Sequence, residues 1–370
     1  GRFCCLNQND MTSFYNKIKE HQKQHLPFVV YCKPNSDTVT GLFQQNDSLY
    51  HVSDFSEKGF VFSSFDGNQT YIIPENQSER SSAVWDKKEI ALVDKEGSLP
   101  DEASKKNFVD LVTKGIRAIK NNEFKKVVLS RKETVDLADF DLVLTFEKLV
   151  QLYPSTFVYC FYHPKVGTWL GASPEQLLKA KDTVFETIAL AGTQKDTGLA
   201  ETVWEQKEKE EQQFVTDYIV AKLENVAEEV LVSKPYSVKA GSIWHIKTDI
   251  SGTLNSDSHL KEVIALLHPT PAVCGLPKDD SKAFILKNEN YDRTFYTGFM
   301  GELNSSSRPN SVHTDLFVNL RCMQIESGSK PGIAKAYLYM GCGITKDSVP
   351  EKEWEESVNK SMTMKRSFLS

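Results

Sequence analysis

No apolar run in this 370-residue chain approaches the ~20 residues needed to cross a bilayer, so no membrane partner is expected. The opening Gly1-Arg2-Phe3-Cys4-Cys5 carries one positive charge but no apolar core, and does not read as a secretory leader. Met11 is the expected natural start, with residues 1–10 a remnant or disordered. The seven cysteines (Cys4, Cys5, Cys32, Cys160, Cys274, Cys322, Cys342) are odd in number and scattered. Without a C-x-x-C pair they support neither a zinc site nor a disulfide framework, and a reducing, cytoplasmic compartment is expected. The histidines form no H-E-x-x-H, and neither G-x-G-x-x-G nor a P-loop occurs. No basic stripe accompanies the net charge of −6, which argues against nucleic acid as a partner. That acidic balance repels anions at long range, so any anion site must be a local cluster of Lys, Arg and backbone N–H groups.

What is present reads as an ordinary globular chain, with aromatic residues at 11%, enough for a substantial core. The runs 27–32, 59–65 and 70–73 look like strands, the last following a turn at Asp66-Gly67-Asn68. Residues 75–106 look loop-like apart from Ile90-Ala91-Leu92-Val93. Beyond 103 the signals sharpen. Phe108, Leu111, Val112, Ile116 and Ile119 recur at helical spacing. Strands are expected at 126–130, 155–163, 167–172, 244–250, 316–325 and 333–340. Helices are expected at about 141–152, 202–230 and 349–366. Strands and helices interleave irregularly, which predicts one large α+β domain over residues 11–370.

Five clusters carry possible chemistry, each with a plainer reading beside it. Lys126 enters the apolar strand of Phe124–Arg131. A lysine there is poorly hydrated, and desolvation lowers its pKa toward that of a general base; otherwise it is a solvated strand end. Gly171-Ala172-Ser173-Pro174-Glu175 puts an acid at a backbone turn, or starts a helix. Glu205, Glu208, Glu210 and Glu211 open the long helix. Glu211 precedes Phe214, Val215 and Tyr218 by three, four and seven residues, an inward stripe on which a carboxylate needs a partner such as a metal ion. Glu353, Glu356 and Lys360 share one face of the last helix, which Ser348 and Glu351 would open as a capping box; an i,i+4 salt bridge is the plain alternative. The small-residue turns at Ala191-Gly192-Thr193, at His268–Gly275 and at Gly341-Cys342-Gly343 can aim N–H groups at an anion or simply make tight turns.

Together and in this order, the strings KVVLSR (126–131), GASPE (171–175), LAGT (190–193), HPTPAVCG (268–275), YDRTFYTGFMGE (291–302), LRC (320–322), GCGI (341–344) and EWEESVNK (353–360) resemble the chorismate-utilising enzymes. The likeness covers roughly residues 103–367. It implies a β-sandwich-like core of two pseudo-related halves wrapped by helices, with the site between the sheets. It also implies a substrate, chorismate, bearing two carboxylates and a ring hydroxyl. By resemblance, Lys126 is the base that activates water for attack at ring C2, and Glu175 the acid that protonates the departing C4 hydroxyl. Glu211 and Glu356 match the residues that hold Mg2+. Arg321 and Lys360 match contacts to the substrate carboxylates, with N–H groups around Gly192, Thr193 and Gly341 as further anion donors.

Two positions point to one branch. Ammonia-using relatives carry Gln where this chain has Lys126, and a covalent branch carries a nucleophilic Lys where it has Ala191. With the HPTPA string (268–272), which resembles the isochorismate branch, they indicate a branch that makes isochorismate, feeding menaquinone or catechol siderophore synthesis. No glutaminase partner is implied, and a monomer is the default. The rivals are salicylate formation with loss of pyruvate and a non-catalytic chorismate-binding protein. One departure stands out: KEKEEQQ lacks the histidine often found beside the metal-holding glutamate, so that role could fall to Glu208, Glu210 or Glu211.

Overall fold

The computed structural model describes residues 10–89, 100–240, 243–255 and 259–368. Residues 1–9 and the run Ile90-Ala91-Leu92-Val93 therefore lie outside the described residues. Two large antiparallel sheets organise the rest. The nine-stranded sheet runs, edge to edge, through Gly275–Leu276, Lys126–Leu137, Ala334–Ile344, Cys322–Ser327, Gly167–Ser173, Phe157–His163, Phe28–Cys32, Thr38–Gln44 and Ser78–Val84. The ten-stranded sheet runs through Ala227–Val232, Ile243–Leu254, Val184–Lys195, Gln176–Lys181, His313–Val318, Phe299–Ser305, Gly59–Ser63, Thr70–Pro74 and Tyr50–His51, with Tyr236–Ala240 also paired to Ile243–Leu254.

The continuous apolar runs Phe28–Cys32 and Gly59–Ser63 are buried along their whole length because both faces of each sheet are covered. Between the sheets lies an aromatic layer. Phe62 stacks on Phe161 at 4.3 Å and Phe157 on Phe317 at 4.2 Å, each pair joining one sheet to the other. Such pairs contribute about 0.5–1.5 kcal/mol beyond the area they bury. On the outer face of the nine-stranded sheet, helices Met11–Lys23 and Leu142–Leu152 insert Phe14, Ile18, Phe146 and Leu149. Helices Gln206–Leu223 and Leu260–Leu267 cover the ten-stranded sheet. Helices Glu102–Lys120 and Pro350–Lys365 lie over strands Lys126–Leu137 and Ala334–Ile344. The expected α+β sandwich wrapped by helices is the observed architecture.

Several local expectations differ. The helix expected over 202–230 spans Gln206–Leu223, because Ala227–Val232 pairs as an edge strand with Ile243–Leu254. Its buried face is Gln212, Val215, Thr216, Ile219 and Leu223, whereas Phe214 is 65% and Tyr218 51% exposed. Glu211 is half-buried through its spacing from Val215, not through an aromatic stripe. The run 316–325 is two strands, interrupted where Arg321 adopts φ 50°. Helix Pro350–Lys365 opens from Val349 without a side-chain cap, and Ser348 Oγ instead accepts the Thr345 N–H at 2.9 Å. Ser173-Pro174-Glu175 starts no helix.

That last segment is a crossover: the chain leaves the nine-stranded sheet at Ser173 and enters the other at Gln176. Asn319-Leu320-Arg321 makes the reverse crossing. The two crossings are bonded side by side. The Val318 N–H donates to the Glu175 carbonyl at 3.0 Å, and the Ala172 N–H to the Arg321 carbonyl at 2.9 Å. Asn319 pins them, accepting from the Tyr159 hydroxyl at 2.7 Å and donating to the Phe295 carbonyl at 3.0 Å.

Candidate active site

A cleft of about 600 Å³ opens beside these crossings. Lys126, Glu175, Arg321, Gly341 and Lys360 all line it, brought together from five separate parts of the chain.

Lys126 is the first residue of its strand and is 2% exposed. Leu276 pairs with it, and Ser281 Oγ donates to its carbonyl at 2.9 Å. Gly343 leaves it room, since a Cβ there would stand 3.3 Å from the Lys126 Cε. Burial pushes the ammonium pKa below that of a free lysine, against the opposing pull of Glu211 and Glu175; the nearby Lys360 lowers it further. The strand itself is clamped by charge. Arg293, 3% exposed, pairs with Glu289 at 2.7 Å and donates to the carbonyls of Val128 at 2.8 Å and Val273 at 2.9 Å. Glu289 also accepts from the Ser130 N–H at 2.7 Å.

Glu175 sits on the crossover, where burial pushes its carboxyl pKa up to about 7 despite the positive charges of Lys126, Lys247 and Arg321. The lysine and the glutamate are thus both driven toward their neutral forms by the same dry surroundings.

Helix Pro350–Lys365 supplies the acidic end. Glu353, Glu356 and Cys342 each offer a ligand atom within 4.8 Å of one another, and Glu211 stands outside that group. Glu211 is close enough to Lys126 to act on its charge, and burial raises its own pKa. Lys360 takes up the plain i,i+4 pairing with Glu356 at 3.2 Å and also donates to the Gly341 carbonyl at 2.8 Å. At Gly341 a Cβ would stand 2.6 Å from the Tyr296 hydroxyl, so this glycine permits a close approach. Gly192 lies at a bulge with φ 77° and is not among the residues lining the cleft. Thr193 follows it in the ladder, and its side chain lies outside the described residues.

Sequence reasoning gave no role to three cleft residues, His245, Lys247 and Tyr296. Burial, then the charge of Lys126, depresses His245 to about 3, so its imidazole is neutral. Its Nδ1 lies 3.2 Å from the Gly192 carbonyl, which accepts, so the proton sits on Nδ1 and Nε2 is left as an acceptor. The available signal was polarity at alternate positions of the strand that begins Trp244-His245-Ile246-Lys247.

The family described as chorismate binding enzyme matches residues 71–369. Isochorismate synthase DhbC of Bacillus subtilis (strain 168) is 31% identical over 289 residues, 73% of this chain and 69% of that one. Isochorismate synthase MenF of Pasteurella multocida is 27% identical over 288 residues, 75% of this chain; the match spans only 63% of that relative's length. A crystal structure described as a putative 2,3-dihydroxybenzoate-specific isochorismate synthase, DhbC from Bacillus anthracis, superposes with a TM-score of 0.71 at 23% identity. It covers 95% of this chain and 99% of that one, which shows a common fold.

Proposed function

The chain belongs to the chorismate binding enzyme family, and from that premise we propose that its cleft converts chorismate to isochorismate. The observation that carries this reading is a buried lysine and a half-buried glutamate lining one cleft, each pushed toward its neutral form. Water is a poor nucleophile and hydroxide a poor leaving group. A neutral Lys126 amine takes a proton from the water that attacks C2. A protonated Glu175 gives one to the hydroxyl that leaves C4. The two groups need opposite roles at one pH, and burial prepares both: it disfavours the ammonium and the carboxylate alike.

Arg321 and Lys360 hold substrate carboxylates in this reading, with backbone N–H groups around Gly192, Thr193 and Gly341 as further donors. Glu211 and Glu356 are the residues that would hold Mg2+, with Glu353 beside Glu356. The donor set fits a hard cation: the carboxylates supply oxygen, while the Cys342 thiol is pushed up to about 12 by burial and stays protonated. Bound there, the ion would neutralise and orient the ring carboxylate.

We read residues 11–370 as one catalytic domain, since both sheets contribute to the cleft. We place it in the cytoplasm, since its described cysteines are free thiols, take a monomer as the default, and expect no glutaminase subunit because Lys126 favours water over ammonia. Its product would supply menaquinone or catechol siderophore synthesis. Purified protein incubated with chorismate and Mg2+, with and without a chelator, tests the proposal by chromatography. Isochorismate that disappears with chelator is the expected result. Salicylate plus pyruvate, or no turnover, overturns it.

A further inference from the structure

The substrate proposed above carries two carboxylates, so the cleft's positive charges can be sorted by what already neutralises them. Lys360 is paired with Glu356 at 3.2 Å. Lys239 is paired with Asp196 at 2.7 Å. Lys126 is buried and disfavoured as a cation. Arg321 and Lys247 remain, and neither has an ion-pair partner among the described residues.

Lys247 is kept in that state by its neighbours. It lies two residues from His245 on strand Ile243–Leu254, so their side chains share a face, and both line the cleft. Leu190, directly opposite across the ladder, lines it too. On its other side Lys247 pairs with Tyr236, and its ammonium sits 5.7 Å from the centre of that ring, a cation–π distance. Asp249 is two residues further along the same face and would be the natural partner. Its carboxylate instead accepts from the Tyr236 hydroxyl at 2.9 and 3.0 Å. The ring thus holds the lysine in place while its hydroxyl donates to the acid two residues along that face.

We propose that Lys247 binds the enolpyruvyl carboxylate of chorismate together with Arg321, a subsite at the Glu175 end of the cleft. The inference rests on the isochorismate reading, and the substituent pattern sets its direction. The C4 hydroxyl that meets Glu175 is adjacent to C3, which bears the enolpyruvyl ether. The ring carboxylate is adjacent to C2 and so belongs at the Lys126 end, near Glu211 and Glu356. Arg321 rides on the crossing bonded beside that of Glu175, and Lys247 lines the same cleft; both add positive charge around Glu175, whereas the charges that act most on Lys126 are those of Glu211, Glu175 and Lys360, which places Lys247 and Arg321 toward the C4 end.

The test uses Lys247→Gln and Lys247→Arg in the full chain, with two unreactive probes whose affinities are measured by calorimetry. One is benzoate, with the ring carboxylate alone. The other is 3-(1-carboxyvinyloxy)benzoate, with both carboxylates. Loss of one charge-assisted hydrogen bond corresponds to about a ten- to hundredfold weaker binding. Lys247→Gln is expected to weaken the dianion by that factor and raise the chorismate KM in parallel. Benzoate affinity should hold within about threefold, and Lys247→Arg should restore the dianion. Equal losses for both probes, or none for either, overturn the proposal. Wild-type protein that binds the dianion through Lys247 without making isochorismate would overturn the assigned reaction alone.

Discussion

The two ends of the cleft share their dryness but not their construction. At the Lys126 end the reactive group starts a twelve-residue strand, and buried ion pairs lock the surrounding backbone. Arg293 alone ties together the lysine's strand, the Val273 loop and Glu289. At the Glu175 end the reactive group rides on a crossing between sheets, held by backbone hydrogen bonds to the neighbouring crossing, and the nearby Lys247 and Arg321 have no ion-pair partner among the described residues. One end is stiffened by charges that neutralise each other. The other keeps charge available for an anion. A site that must hold a base still while receiving a dianion needs both designs, and the antiparallel sandwich supplies a strand for the first and a pair of crossings for the second.

The strongest way to break this comparison is to remove either reactive group. Lys126→Ala and Glu175→Gln should each lower kcat by about 10²–10⁴-fold, followed by product chromatography. If one folded variant kept near-normal turnover, its end of the cleft would have no acid–base role. The wild-type pH profile sharpens the point. Glu175 must be protonated to act, so kcat/KM should fall as pH rises through about 7. Lys126 must be neutral, so activity should also fall on the acid side as the amine takes up its proton.

The charge clamp should show itself in stability. Arg293→Met leaves the Glu289 carboxylate buried without its cation, which costs about 3–5 kcal/mol, read from urea unfolding at neutral pH. Adding Glu289→Gln should recover part of that loss. An unchanged midpoint in the single variant would remove the clamp from the comparison. A smaller effect, about 1–3 kcal/mol, is expected for Gly341→Ala, because its new methyl meets the Tyr296 hydroxyl at 2.6 Å.

The smallest effect concerns the Glu175 end. Its carboxyl pKa is raised from 4.5 to about 7 in the folded protein, so the fold binds that proton more tightly than the unfolded chain does. Stability tied to this group is therefore intact below 4.5, is lost as pH rises from there through about 7, and is level above that. Glu175→Gln removes the decline. The inactive variant should gain Tm relative to wild type at pH ~8 and not at pH ~4, in scanning calorimetry. Equal differences at both values would mean that the carboxyl group is not strained by burial.

Much of this was legible along the chain. The strand that begins at Lys126 was readable because valine and leucine flank it. The α+β class followed from irregular alternation, and the ordered strings brought Glu175, Arg321 and Lys360 into one expectation. What stayed hidden has physical causes. Ser-Pro-Glu is as good a helix start as a sheet crossing, and only pairing partners tell them apart. Phe214 and Tyr218 resemble core residues by type, yet the sheet covers the face carrying Gln212 and Thr216. There Gln212 Nε2 donates to Thr216 Oγ1 at 2.9 Å. His245 and Lys247 are two polar residues in a strand until the fold brings that strand beside Lys126, more than a hundred residues earlier in the chain.

By itself the sequence determined which segments extend, which coil, and which residue types are available for acid–base work, because those follow from local spacing and side-chain chemistry. Only the tertiary structure decided which charges are neutralised and which remain free, how dry each group is, and that a lysine and a glutamate share one cavity. Dielectric surroundings and ion pairing are set by neighbours distant in the chain, and no local pattern encodes them.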